Sequence, residues 1–287
     1  MSLPSDLPVV DHHCHLSPSG DGVRAVQRFR QAGGTHLFLA TQNYGAKVPR
    51  TVEEYADQFS MTEALARRAE REAGVIVYLV VAPYPVDLVP AVRDLGVAGA
   101  LSLHCAALDL AGRWVRERRA VALGEVGFPH FPVDAEVDRV AREVFDHALA
   151  VARDSDCPVV VHSRDLDSAG YLELARRADR TGLRRERVVK HYARNRLSDA
   201  ERSSVTPSYL ARRELVRAVT SDPGPWFLET DYLDDSSRPG AVLDLSTVPR
   251  RAKSIAATDL DRLRVPFVES IARVYGFRPE PIPRGDQ

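Results

Sequence analysis

The sequence predicts a single (β/α)8 TIM barrel, in which parallel strands alternate with helices and the strands close into a cylinder. Two observations support this fold class. Short apolar, β-branched runs alternate with longer amphipathic stretches along the chain, which is the pattern of βα units. The length of 287 residues also lies within the roughly 200 to 400 residues over which such a barrel forms one domain. We therefore predict one barrel domain over residues 1–287.

Seven apolar runs are predicted to be strands. They are residues 9–15, 36–41, 75–82, 120–127, 158–163, 187–193 and 225–232. An eighth run, residues 203–209, lies where the seventh barrel strand belongs, although Pro207 weakens this prediction because proline donates no backbone hydrogen bond.

The helices are predicted from apolar spacing and from capping residues. Residues 137–152 place apolar side chains at i, i+3, i+4 and i+7. A second helix, or a broken pair of helices, begins with a capping box at Thr51 and Glu54 and ends near Gly74. Further helices are expected over residues 169–180 and 259–275. Two segments exceed what a minimal barrel needs, namely 83–119, which is too long for one helix, and 233–258. Long loops after barrel strands commonly recognise substrate.

Composition excludes several classes of protein. With 44% hydrophobic and 28% charged residues, the chain is neither a disordered polyelectrolyte nor collagen-like. A net charge of −1 leaves no overall basic surface for stable binding of duplex nucleic acid. The three cysteines, Cys14, Cys105 and Cys157, have no CxxC spacing, and no apolar run reaches about 18 residues. We therefore expect a cytoplasmic protein that does not bind a membrane.

The first predicted strand ends in a histidine-rich pentapeptide, residues 11–15. Because side chains alternate along a strand, Asp11, His13 and His15 share one face. Two imidazoles on one face suit a divalent metal. The alternative is a histidine-rich strand end with ordinary surface histidines.

Four further polar residues lie near the carboxyl ends of other predicted strands: Glu125, His162, His191 and Asp231. In a barrel these strand ends meet at one mouth. Taken singly, Glu125 could be a salt-bridged strand end, the two histidines could be core residues, and Asp231 could cap a helix. Six polar groups that end apolar strands would be costly to bury unpaired, and a metal cluster pairs them. The other candidates receive structural roles. Glu229 is assigned to an ion pair, and Asp234 and Asp235 to a solvated loop. Surface or packing roles are assigned to the remaining histidines: His12, His36, His104, His130 and His147.

Five motifs, in order, resemble the TatD-like metal-dependent hydrolases of the amidohydrolase superfamily. They are DHHCHLS, ALGEVGF, VVVHSRD, VVKHYA and FLETDYLDD. The resemblance implies that a pair of divalent metals is bound by His13, His15, Glu125, His162, His191 and Asp231. Three stretches differ from the usual nuclease members of the family: GFPHFP after Glu125, YARN after His191 and YLDD after Asp231.

The expected reaction is hydrolysis by a metal-activated water. Glu125 would bridge two ions, which we expect to be Zn²⁺ or Mn²⁺, with Mg²⁺ as a further possibility, because four imidazoles suit borderline metals. His13, His15 and Asp231 would hold one ion, and His162 with His191 the other. Asp231 would act as the general base.

The resemblance implies a phosphodiester or phosphate ester as substrate, either a nucleic-acid end or a small molecule. The alternative is a C–N or C–O bond in a small metabolite. A third class, a non-catalytic binding module, is disfavoured because all six ligand positions are filled. Phosphate oxygens would be held by arginines of the loop after the last strand, unless that loop is simply solvated: Arg238, Arg250 and Arg251, with Lys253.

Lys190, next to His191, raises a separate question, because related barrels bridge their metals through a carbamylated lysine. With Glu125 available as the bridge, we instead predict a surface lysine or a cation that faces a helix.

Overall fold

Nine parallel strands form one sheet in the computed structural model, which describes residues 3–45, 47–235 and 242–282. The strands are β1 (Val10–His15), β2 (His36–Ala40), β3 (Ile76–Val81), β4 (Ala122–Gly127), β5 (Val159–His162), β6 (Val188–Ala193), β7 (Thr206–Leu210), β8 (Phe227–Glu229) and β9 (Tyr232–Leu233). Each of β1 to β8 pairs with its neighbour in sequence, and β9 lies against β1. The predicted barrel is confirmed, including the weak strand that contains Pro207.

The last barrel strand is divided, and this division closes the cylinder. β8 pairs with β7, whereas β9 pairs with β1 through Cys14 and Tyr232. Between them, the Asp231 N–H donates to the His13 carbonyl at 3.0 Å. Asp231 has a φ of 48°, the left-handed region that aspartate tolerates better than most residues. The prediction of one continuous strand over residues 225–232 is therefore wrong at this point.

Helices surround the sheet. They are α1 (Val23–Gln31), α2 (Val52–Ala73), α3 (Leu88–Arg116), α4 (Ala135–Asp154), α5 (Ser168–Thr181), α6 (Asp199–Arg202), α7 (Arg213–Val219), α8 (Thr247–Ala256) and α9 (Ser270–Tyr275). The capping box of Thr51 and Glu54 is present, and Gly74 ends α2 at a φ of 64°. The predicted helix over 259–275 is wrong in detail, since a 3₁₀ turn and a π turn precede α9 around Pro266, which has no N–H to donate.

The segment 83–119 forms two helical pieces, as its length predicts. α3 is interrupted at Gly96, where φ is 71° and ψ is 169°. Within the described ranges, Pro85–Arg116 is long and apolar enough to cross a membrane by length and composition, with a mean hydropathy of 1.4. Charged residues interrupt this stretch, so it contains no unbroken apolar run of that length. The helix packs against α4 and buries Leu103, Ala107 and Trp114, as a helix of the outer barrel layer does.

Three of the histidines assigned to packing or surface roles are buried: His12 on β1, His36 on β2 and His104 on α3. His12 stacks on Phe227 at 3.8 Å between ring centres, and its Nε2 lies 2.8 Å from the Tyr275 hydroxyl. His147 lies at the surface beside Asp109, 2.8 Å away.

Asp87, just before α3, offers a test of stability far from the barrel mouth. Burial raises the pKa of its carboxyl to about 7, although a hydrogen bond from Tyr55 opposes the shift. The folded chain therefore keeps a proton that the unfolded chain releases, and stability falls as the pH rises from about 4 to 7. Asp87→Asn should leave the free energy of unfolding nearly unchanged at pH 4 and raise it by about 2 to 4 kcal/mol at pH 8.

Urea unfolding of both proteins at the two pH values measures this difference. Asp57→Asn, at an exposed position of α2, is the matched control for loss of a carboxylate. A pH-independent effect of Asp87→Asn would contradict the assignment.

Candidate metal centre

Glu125 lies at the centre of a cluster at the carboxyl ends of β1, β4, β5 and β6. Its carboxylate oxygens lie 3.7 Å from Nε2 of His13 and 3.6 Å from Nε2 of His15. They also lie 2.9 Å from Nδ1 of His162 and 2.7 Å from Nε2 of His191. The buried carboxylate therefore touches four imidazoles that come from three different strands.

Two groups of candidate metal ligands overlap at His13. In one, Nε2 of His13 lies 3.1 Å from Nε2 of His15 and 3.7 Å from Asp231. In the other, His13 is joined by Glu125 and His191, and the donor atoms of each group lie within 4.8 Å of one another. The structure thus brings all six predicted residues together. It differs from our assignment in that His13 belongs to both groups; the function of the six as ligands stays a prediction.

Asp11 shares the face of His13 but has a different role. Its carboxylate accepts the Thr230 N–H at 3.0 Å and the Thr230 hydroxyl at 2.6 Å. These bonds join β1 to the division of the last strand, next to Asp231. Asp11 therefore holds the turn that presents Asp231 to the cluster.

Close approach of β4 and β5 brings His162 to Glu125. At Gly127, a Cβ atom would lie 2.4 Å from the His162 carbonyl oxygen, and φ is +126°. Only glycine meets both conditions without strain.

Glu229 faces the ring nitrogen of His191 that does not face Glu125. A carboxylate oxygen of Glu229 lies 3.5 Å from His191 Nδ1 and accepts the Tyr192 N–H at 2.6 Å. Tyr192 has a φ of 57°, so the strand turns sharply just after the candidate ligand. The ion pair predicted for Glu229 is present, and it orients His191 as outer carboxylates orient metal-binding histidines.

Lys190 is buried, so the prediction of a surface lysine is wrong. Its ammonium donates to the His191 carbonyl at 2.5 Å, and burial lowers the pKa of the amine to about 8. The alternative of a helix-facing cation is correct, since Lys190 lines a cavity of about 170 Å³ with Tyr171 of α5 and Glu201 of α6.

The charges of the cluster test whether a divalent cation fits it. Burial would raise the pKa of Glu125, yet the imidazoles of His162 and His191 hold it well below the usual range. Burial would lower the pKa of His191, but Glu125 and Glu229 raise it to about 10. Burial lowers the pKa of His13 and His15, which leaves neutral imidazoles. The neutral imidazoles of His13 and His15 and the carboxylate of Glu125 therefore direct lone pairs into one buried space. A divalent cation in that space would bind these lone pairs and balance the carboxylate charge.

Comparison with known proteins agrees with this reading. The family model for TatD-related DNase matches residues 10–275, a span that holds the whole cluster. The chain belongs to this family. TatD proteins use divalent metals, and this TatD protein is a metal-dependent hydrolase whose described residues include candidate metal-binding groups.

Three similar proteins illustrate the relationship. An uncharacterised protein of Methanocaldococcus jannaschii is 28% identical over 285 residues, 96% of this chain and 98% of that protein. A TatD-like protein of Archaeoglobus fulgidus aligns with a TM-score of 0.64 at 16% identity, over 93% of this chain and all (100%) of that one. The phosphotriesterase homology protein of Escherichia coli, with phosphate in its active site, gives a TM-score of 0.61 at 12% identity over 95% and 99% of the two chains. The two structural likenesses show the fold.

Two residues at the mouth make contacts that the sequence analysis did not predict. Asp234, which we predicted to be solvated, is buried and accepts backbone N–H groups of Ser17, Asp21 and Gly22. His130, assigned a packing or surface role, is exposed but lies 3.0 Å from His162. The position of His130, five residues after Glu125 in the loop that follows β4, was the feature of the sequence that could have predicted a place near the cluster.

Replacing His13 and His15 together by alanine should reduce the metal content below that of the parent, because the pair supplies two donors of one group and His13 also belongs to the other. Metal analysis after dialysis under metal-limited conditions measures this. His147→Ala, at the surface, should keep the parent stoichiometry. An unchanged content in the double variant would place the ligands elsewhere.

Proposed function

We propose that this TatD protein hydrolyses a phosphodiester or phosphate-ester bond with two divalent ions, Zn²⁺ or Mn²⁺ by preference and Mg²⁺ as a further possibility. The observation that supports this is the contact of one buried carboxylate, Glu125, with both groups of donors. A shared carboxylate is a feature of sites that hold two ions side by side. His13, His15 and Asp231 would hold one ion, and His191 with His162 the other.

When bound, the ions would polarise the scissile bond and make a water more acidic. The protein's own contribution to proton transfer is assigned to Asp231. Its side chain is 17% exposed against 4% for Glu125, so Asp231 is the carboxylate of the pair that solvent reaches more readily. Burial raises the pKa of Asp231 well above its usual value, even though His191 opposes the shift. A carboxylate with a raised pKa accepts a proton from an attacking water and returns it to the leaving oxygen.

Cations near the mouth support a phosphate-bearing substrate. Arg251, on α8, donates from Nε to the Ala211 carbonyl, directly after β7. Burial and the nearby cations Arg213 and Arg250 lower the pKa of its guanidinium, while Glu214 acts against the shift. We assign Arg250 and Arg251 to substrate phosphate. Arg238, another of the predicted contacts, lies outside the described residues.

A second candidate is hydrolysis of a C–N or C–O bond in a small metabolite. The observation in its favour is Phe131, which is 40% exposed in the loop after β4 and packs edge-on against His130. An aromatic surface beside the cluster suits an uncharged substrate better than a phosphate.

The binding partner that we propose is the substrate itself, either a small molecule or a nucleic-acid end. We further propose a cytoplasmic protein without membrane or stable duplex binding, because its three cysteines are free thiols and its net charge is −1.

Activity assays of one preparation separate the two candidates. The protein is stripped of metal, reloaded with Zn²⁺, Mn²⁺ or Mg²⁺, and tested on bis-p-nitrophenyl phosphate, single-stranded DNA, and a panel of amides and lactones. We expect metal-dependent cleavage of the phosphodiesters. Cleavage of amides or lactones alone would overturn the proposal in favour of the second candidate.

A further inference from the structure

The two ring nitrogens of His162 face opposite surroundings. Nδ1 lies 2.9 Å from Glu125 and 3.3 Å from His191, inside the cluster. Nε2 lies 3.0 Å from Nδ1 of His130, on the outer side. We propose that His130 is a positioning residue, which accepts the Nε2–H of His162 and thereby keeps the Nδ1 lone pair directed into the cluster. This inference rests on the metal-binding part of the proposed function.

The assignment of protons follows from the chemistry of imidazole. A neutral ring carries one N–H, and a nitrogen that binds a metal must offer its lone pair. If Nδ1 of His162 is the donor to an ion, the proton lies on Nε2 and needs an acceptor. Nδ1 of His130 is placed to accept it, and His130 then carries its own proton on Nε2.

Ring packing alone does not determine whether Nδ1 of His162 faces Glu125. The Tyr84 ring lies edge-on to His162 with 5.1 Å between ring centres, and the His191 ring stacks near it at 5.4 Å. These contacts hold the plane of the ring. A ring turned by 180° about its Cβ–Cγ bond would occupy nearly the same volume but would place carbon atoms toward Glu125 and His130. The polar contacts of Nδ1 with Glu125 and of Nε2 with His130 therefore distinguish the two orientations, and the His130 contact is the one that bears on the proton of Nε2.

His130 acts through His162 rather than as a ligand itself. It lies across the His162 ring from Glu125, and its side chain is exposed whereas Glu125 is buried. This arrangement corresponds to the outer hydrogen-bond partners that orient metal-binding histidines, whose removal typically weakens metal binding by about 10- to 100-fold.

The test measures the affinities of both ions by competition with a chromophoric Zn²⁺ chelator. His130→Ala should weaken one of the two ions by about 10- to 100-fold and leave the other within about twofold, because in the proposed function His162 would hold, with His191, only one of the two ions. His130→Gln, whose carbonyl oxygen can accept the same hydrogen bond, should recover most of the loss. His147→Ala is the matched control.

Two results would overturn the proposal. One is parent affinity for both ions in His130→Ala. The other is equal weakening of both ions together with a lower melting temperature of the metal-free protein, which would make His130 a structural residue of the loop. Absence of esterase activity in the parent, with selective loss of one ion in His130→Ala, would contradict the proposed reaction and support the positioning role.

Discussion

Replacing Asp231 with asparagine is expected to lower kcat by about 10²-fold or more, the effect of removing a positioned acid or base. The amide has nearly the shape of the carboxylate and still offers an oxygen to His13 and His15, so the fold and much of the metal should remain. The loss should fall mainly on kcat, because the residue acts on the attacking water rather than on substrate binding.

The competing account treats Asp231 only as a cap of the turn between β8 and β9. It predicts a loss of about 1 kcal/mol in the free energy of unfolding and nearly normal turnover of the folded enzyme. Metal content, melting temperature and kcat measured on one preparation distinguish the two. Asp165→Asn, at an exposed carboxylate after β5, is the control with parent turnover. A stable, metal-loaded Asp231→Asn enzyme with the parent kcat would exclude the catalytic role.

Glu125→Gln is expected to have the broadest effect, since this carboxylate contacts both groups of donors. Removing one charged partner from a buried set typically costs about 3 to 5 kcal/mol, which corresponds to a loss of on the order of 10²- to 10⁴-fold in affinity. Both ions should therefore be weakened together, unlike the selective loss expected for His130→Ala.

Equilibrium dialysis over a range of Zn²⁺ concentrations measures this effect, with turnover followed in the same samples. Glu143→Gln, at an exposed position of α4, serves as the control. Retention of two tightly bound ions in Glu125→Gln would show that this carboxylate does not bridge the site.

The cluster could be predicted because it depends on strand alternation and on parallel topology. Alternation acts within each strand, and the repeated βα pattern predicts the parallel topology; together they place His13, His15, Glu125, His162 and His191 at one mouth. The capping box of Thr51 and Glu54 could also be predicted from the sequence, since its hydrogen bonds join residues three positions apart.

Other features depend on contacts between distant parts of the chain. The division of the last strand requires the bonds of Asp11 to Thr230, 219 residues away. Burial of Lys190 depends on how α5 and α6 cover β6, and the contact of His130 with His162 depends on the conformation of a loop. No periodicity in the sequence predicts these contacts.

Anomalous diffraction from crystals of the Zn²⁺-loaded protein tests the central claim most directly. We expect two peaks about 3.5 to 4 Å apart, with Glu125 between them, His13, His15 and Asp231 around one, and His162 with His191 at the other. A single peak, or peaks away from Glu125, would contradict the binuclear centre.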